Sequence, residues 1–167
     1  MAVAGARGDV RNGSLPRALI QGGMAIGDRS TVDRGVAALD WLAMAQTTDE
    51  GRATLVGSDG WWPRRGRPAE FDQQPIEADS MVQAAAAAWH ATGDERYREV
   101  ALRFYRWFLG DNIGGCVVAR PAEGACHDGL TPDGVNENQG AESTLAWLAS
   151  TEAIRGIAAI TQVAAET

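Results

Sequence analysis

Laid against itself at an offset of 66 residues, the chain repeats: Gly27-Asp28 falls on Gly93-Asp94, Trp41 on Trp107, Leu42 on Phe108, Val36 on Leu102 and Leu15 on Met81. The identities are few, but they sit at turns and at apolar positions, as in a diverged helical repeat. Each unit reads as a helical hairpin. Apolar spacing predicts helices from Leu15 to Ile26 and from Thr31 to Gln46, with Asp28 or Ser30 as the N-cap of the second. In the next unit the helices run from Ile76 to Ala91, with Pro75 in the opening turn, and from Glu95 to Leu109, stopped by Gly110. Tyr97, Val100, Ala101, Phe104, Trp107 and Phe108 recur at three- and four-residue spacing and predict one buried face. The Ala84 to Ala88 run suits close helix packing. A last helix is expected from Ala141 to about Gln162.

Between the hairpins lie two long loops, Thr47 to Gln74 and Asp111 to Gln139, rich in Gly, Asp, Asn and Pro. The turns inside the hairpins are short. Loops of this length in a compact domain are usually functional, and the repeat predicts that both leave the helical layer at the same end. The resulting expectation is an all-α fold of helical hairpins with long loops at one end, a piece of an α/α toroid or solenoid. Residues 1–14 read as an irregular N-terminal segment, 15–162 as the helical domain and 163–167 as a tail.

The loops end alike. Asp72-Gln73-Gln74-Pro75-Ile76-Glu77-Ala78 returns 65 residues later as Glu137-Asn138-Gln139-Gly140-Ala141-Glu142-Ser143. Each copy closes a polar loop and opens an apolar helix, which predicts one polar site built from both. If Gln74 and Gln139 are N-caps, Glu77 and Glu142 occupy the third helical position, where a carboxylate can accept free backbone N–H groups. There they are either caps or acceptors for a hydroxyl-rich ligand. Asp72 and Glu137 precede the helices, so capping does not account for them. Paired carboxylates on neighbouring loops are what glycoside hydrolysis uses, and these two are the candidate catalytic pair. Asp128, in Cys126-His127-Asp128-Gly129, is a further acid near the same junction.

Amides surround these acids: Gln73, Gln74, Asn136, Asn138 and Gln139. An amide both donates and accepts, which suits vicinal hydroxyls. Trp61 and Trp62 offer faces on which a sugar ring could stack, and Arg64 beside them could contact a sugar or phosphate. The same residues could instead pack and solvate a long loop.

Composition narrows the classes. A chain of 167 residues with 45% apolar and 22% charged residues is large enough for a real core. Its net charge of −7 disfavours nucleic acid, which needs clustered positive charge. No apolar run reaches the roughly 18 to 20 residues of a membrane span. The N-terminus has no apolar segment of secretory type, and the expected location is cytoplasmic. Cys116 and Cys126 stand ten apart with one neighbouring His127, which does not match structural zinc spacing. No metal or cofactor is expected, and no Gly-rich phosphate loop or nucleophile elbow is present.

Several stretches in order, Trp61 to Gly66, Phe71 to Ala78, Thr92-Gly93-Asp94, Trp107 to Gly110, Asp128-Gly129-Leu130 and Val135 to Thr144, resemble a bacterial family of α/α-toroid (six-hairpin glycosidase-like) domains. That family is labelled glycosyltransferase or glycosyltransferase-associated. Its members stand alone or follow a two-domain nucleotide-sugar glycosyltransferase. The resemblance spans about Leu15 to Leu148. It implies a carbohydrate ligand, a glycosyltransferase domain as partner and further hairpins upstream, so that this chain would be a truncated member. Arg65 stands where the family tends to have glycine, and Cys116 to Ala125 diverges. A partial toroid leaves apolar helix faces uncovered, which predicts self-association. A non-catalytic sugar-binding module and a helical protein-interaction scaffold are the competing expectations.

Overall fold

The computed structural model describes residues 7–8, 12–63 and 65–165, with side chains over 12–63 and 65–159. Five α-helices carry the fold among these residues: α1 (Ser14–Ile26), α2 (Arg29–Ala45), α3 (Pro75–Thr92), α4 (Glu95–Arg106) and α5 (Ala141–Ala165). The chain is mostly helical, as its periodicity predicts. Short antiparallel ribbons in the loops depart from the all-α expectation: β1 (Arg7–Gly8) with β2 (Trp62–Pro63), β3 (Ala119–Arg120) with β4 (Ala125–Cys126), and β5 (Gly129–Thr131) with β6 (Gly134–Asn136).

The two hairpin turns are built identically. Gly27 and Gly93 take φ of 70° and 69°, a left-handed conformation that glycine adopts without the Cβ clash of other residues. The following aspartates then start the next helices: Asp28 accepts the Ser30 and Thr31 amides at 2.9 and 3.3 Å, and Asp94 accepts the Arg96 amide at 3.0 Å.

Helix α3 lies between α1 and α5, while α2 packs on α1 and α4 on α3. This central position explains why α3 is buried along most of its length. Met81, Val82, Ala84, Ala85 and Ala88 are fully buried. Small side chains let the neighbouring backbones approach: a Cβ on Gly13 would stand 2.3 Å from the Ser80 carbonyl oxygen. The Gly13 amide donates to Ser80 Oγ at 3.2 Å. On the opposite flank Ser150 Oγ donates to Asp79 at 3.0 Å, and Gln83 donates to the Ala149 carbonyl at 3.1 Å.

The expected face of α4 is buried at Tyr97, Ala101 and Phe104, and it continues through a 3-10 turn (Trp107–Leu109) that carries the buried Trp107 and Phe108. Val100 lies at the edge of this core. The repeat is uneven at its first unit. Trp107 is fully buried, whereas its counterpart Trp41 is 44% exposed; Met81 is fully buried, whereas Leu15 is 58% exposed. Among the described residues the second unit is flanked on both sides and the first on one only.

The long loops are not structureless. Ala53, Leu55, Val56, Val118 and Leu130 anchor them in the core. Isolated bridges join Ala53 to Asn112 and Gln73 to Leu130, so the two long loops meet. No helix among the described residues is long and apolar enough to cross a membrane.

Candidate functional site

The site follows from how the loops are stitched together. Gln73 and Leu130 exchange backbone hydrogen bonds at 3.1 and 2.9 Å. Leu130 sits in the β5–β6 hairpin, where Gly129 faces Asn136. The end of the first loop is thereby fixed against the end of the second, and the N-termini of α3 and α5 share a cleft of about 370 Å³. Asp72, Gln74 and the first residues of α3 form one side. Asp128, Asn136, Glu142 and Ser143 are also lining residues. Both copies of the repeated motif therefore contribute to one polar cleft.

Asp72 holds φ at 61°, in the left-handed region that aspartate tolerates better than most non-glycine residues. Its side chain is exposed. Gln74 is the N-cap position of α3, but its side chain makes no capping bond. Instead its carbonyl accepts the Glu77 amide at 3.0 Å, which leaves the Gln74 amide group for the cleft.

Asp128 is held by its neighbours. It accepts the Gly140 amide and Ser143 Oγ, both at 2.7 Å, and the Asn138 side-chain amide. Burial tends to raise its pKa, but these hydrogen bonds and nearby His127 together prevail and hold the carboxyl below the usual value. Asp128 thus secures the start of α5 from outside the helix and is a poor proton donor. We expect Asp128→Ala to lower stability at neutral pH by about 2 kcal/mol, comparable to the loss of a strong cap. In a thermal scan this is a fall in Tm of about 4–8 °C. The folded carboxyl titrates below its unfolded value, so its stabilisation is complete above the ordinary carboxylate range and fades as pH falls through the folded pKa. The two proteins should therefore converge in acid.

Other candidates lie elsewhere. Gln73 is fully buried: its Oε1 accepts Trp107 Nε1 at 2.8 Å, and its Nε2 donates to the Glu70 carbonyl at 2.8 Å. Glu77 is 1% exposed, and its Oε2 accepts the Asn12 amide and side chain at 3.3 and 3.4 Å. It binds the segment leading into α1, where the sequence suggested a cap of its own helix or a ligand contact. Helix α5 begins at Ala141, so Gln139 precedes the cap and Glu142 is second rather than third in its helix. Glycine stays outside the helix where proline enters it. Glu137 and Gln139 are exposed and do not line the cleft, while Asn138 reaches it only through Asp128. The sequence pairs Asp72 with Glu137; the second-copy carboxylate that lines the cleft is Glu142.

The tryptophans do not line the cleft either. Trp62 stacks on Trp41 with centroids 5.3 Å apart and an interplanar angle of 12°, so one of its faces is already covered. Arg64 lies outside the described residues. Burial pushes the Cys126 thiol up to about 12, which removes it as a nucleophile. Among the described residues no group of three or more His, Cys, Asp or Glu is arranged to hold a metal.

Sequence reasoning missed two buried amides, Gln46 and Asn112, which are 1% and 0% exposed. The signal was present, since they stand 66 residues apart, each just past an apolar helix. No protein-family model matches the chain, and no curated protein matches it.

Proposed function

We propose that this chain is a carbohydrate-active domain that binds a hydroxyl-rich glycan in the cleft between α3 and α5. One observation carries this proposal: Asp72 and Gln74 from one copy of the motif, and Asn136 and Glu142 from the stretch around the other, line a single open cleft. Carboxylates accept from hydroxyls, and amides both donate and accept, so such a lining pairs well with vicinal diols. The proposal includes the partial α/α toroid and the glycosyltransferase-associated family that the sequence resembles. For a hydrolytic version, acid/base work falls to Asp72 together with a carboxylate of the second copy, Glu137 by sequence pattern or Glu142 by its place in the cleft. Transfer from a nucleotide sugar would draw its phosphate-binding groups from a partner glycosyltransferase domain. A non-catalytic sugar-binding module uses the same cleft without turnover.

Titration calorimetry against a panel of mono- and oligosaccharides tests the proposal. The expected result is binding by the wild type that the pair Asp72→Asn and Glu142→Gln weakens at least tenfold, about 1.4 kcal/mol. A folded wild type that ignores the whole panel, or an equal affinity in the variant, would overturn it.

A second reading rests on a different observation. Leu15, Ile26, Met44 and Leu145, on α1, α2 and α5, are 58%, 76%, 71% and 64% exposed. Open apolar flanks suit an interaction scaffold or self-association. Concentration-dependent mass without any sugar response would favour it.

A further inference from the structure

The 66-residue offset sets α1, α3 and α5 in register, so each residue of one has a counterpart in the others. One flank of α3 meets α1: the Gly13 amide donates to Ser80 Oγ at 3.2 Å, and the Ser80 carbonyl leaves no room for a Cβ on Gly13. Ser80, Met81 and Ala84 are buried. Their counterparts in α5, Ala146, Trp147 and Ser150, are buried too, and Ser150 Oγ donates to Asp79 of α3. In α1 the same three positions are Ser14, Leu15 and Ala18, and all are exposed. The first and third are the same residue types as in α3. Helix α1 thus shows solvent the face by which its two counterparts pack.

The opposite flank reverses the pattern. Gly13, which faces α3, and Pro16 are buried at the start of α1. Their counterparts in α3 are Asp79, which faces α5, and Val82, which is buried. In α5 these two positions are Leu145 and Leu148, three residues apart on one face, and both are exposed. Glu152, one turn on, pairs with Arg155 at 2.9 Å, so this flank carries no unbalanced charge there. Among the described residues, α1 and α5 therefore hold the two unused halves of an interface that the chain makes twice, between α1 and α3 and between α3 and α5.

We infer that a second copy of this chain packs the Leu145 and Leu148 flank of its α5 on the Ser14, Leu15 and Ala18 flank of α1, continuing the α1–α3–α5 order from head to tail. An unrelated helix could match one flank; a second copy brings the missing half of both. The contact joins two unlike surfaces, so each pair keeps one free half at either end. Association then runs past the dimer until it closes as a ring or extends as a filament. This inference rests on the self-association reading of the exposed side chains and not on the glycan reading of the cleft.

Sedimentation velocity of the full chain over a concentration series tests it. The wild type should grow in mass beyond a dimer. Ala18→Glu and Leu148→Glu each place an unpaired carboxylate in one half of the contact, and each should weaken self-association at least tenfold. Both positions are exposed, so circular dichroism and Tm should match the wild type and show that each variant is folded. Each variant keeps the half that the other has lost. An equimolar mixture should therefore form a one-to-one heterodimer and nothing larger. Self-association that only one substitution weakens, or that mixing does not restore, would overturn the head-to-tail order and leave self-association standing. A wild type that stays monomeric at every concentration would overturn both.

Discussion

Gln73→Leu is expected to destabilise the chain by about 3–5 kcal/mol, the largest single effect we anticipate outside the apolar core. Gln73 is fully buried and joins three parts of the molecule. Its Oε1 accepts the indole N–H of Trp107 at 2.8 Å, its Nε2 donates to the Glu70 carbonyl at 2.8 Å, and its backbone pairs with Leu130. Leucine preserves the volume but strands a buried indole donor. The loss therefore comes from unmet hydrogen bonds rather than from a void. Against a typical total of about 5–15 kcal/mol, it would leave the fold marginal. Urea unfolding should show a lower midpoint with an unchanged slope. Trp107→Phe in the Gln73→Leu background removes the stranded donor, so the double variant should be more stable than the sum of the single changes predicts by about 1–2 kcal/mol.

The second large effect is steric. Gly13→Ala should cost about 3 kcal/mol, because the new Cβ meets only backbone. It would stand 2.3 Å from the Ser80 oxygen, 2.5 Å from the Ser80 carbon and 2.8 Å from the Met81 nitrogen. A flexible side chain could move aside; the backbone of the central helix cannot move without disturbing both neighbours. Separating α1 from α3 would also break the bond from the Gly13 amide to Ser80 Oγ. Gly22→Ala, on the same helix, is the control. Nothing lies within 4 Å of its Cβ position, so helix propensity alone should make it neutral or stabilising by up to about 1 kcal/mol. Thermal unfolding of the two variants side by side distinguishes packing from propensity.

Much of the helical frame was legible because local chemistry and fold agree. Gly27-Asp28 and Gly93-Asp94 are a left-handed cap followed by an N-cap in both sequence and structure. The Ala84 to Ala88 run, read as a surface for close helix packing, lies buried in α3. The loops were less legible. Their anchors, such as Leu55, Val118 and Leu130, are isolated apolar residues with no period to betray them.

The repeated motif shows the limit most clearly. Glu77 and Glu142 look equivalent in sequence, yet Glu77 is 1% exposed and holds Asn12, while Glu142 faces the cleft. Gln73 is interior and its counterpart Asn138 is at the surface. Burial is set by what packs alongside: α3 has neighbours on both flanks, and α5 presents Leu145 and Leu148, 64% and 42% exposed. Sequence similarity identified the junctions but could not tell which copy lies inside.

The most direct test of the cleft as a glycan site is amide chemical-shift mapping of the labelled chain during titration with the oligosaccharide panel. We predict saturable shifts concentrated at Asp72 to Ile76 and Asn136 to Ser143, lost in Asp72→Asn/Glu142→Gln. A well-dispersed spectrum that no sugar moves, or shifts confined to the exposed flanks of α1 and α5, would contradict it.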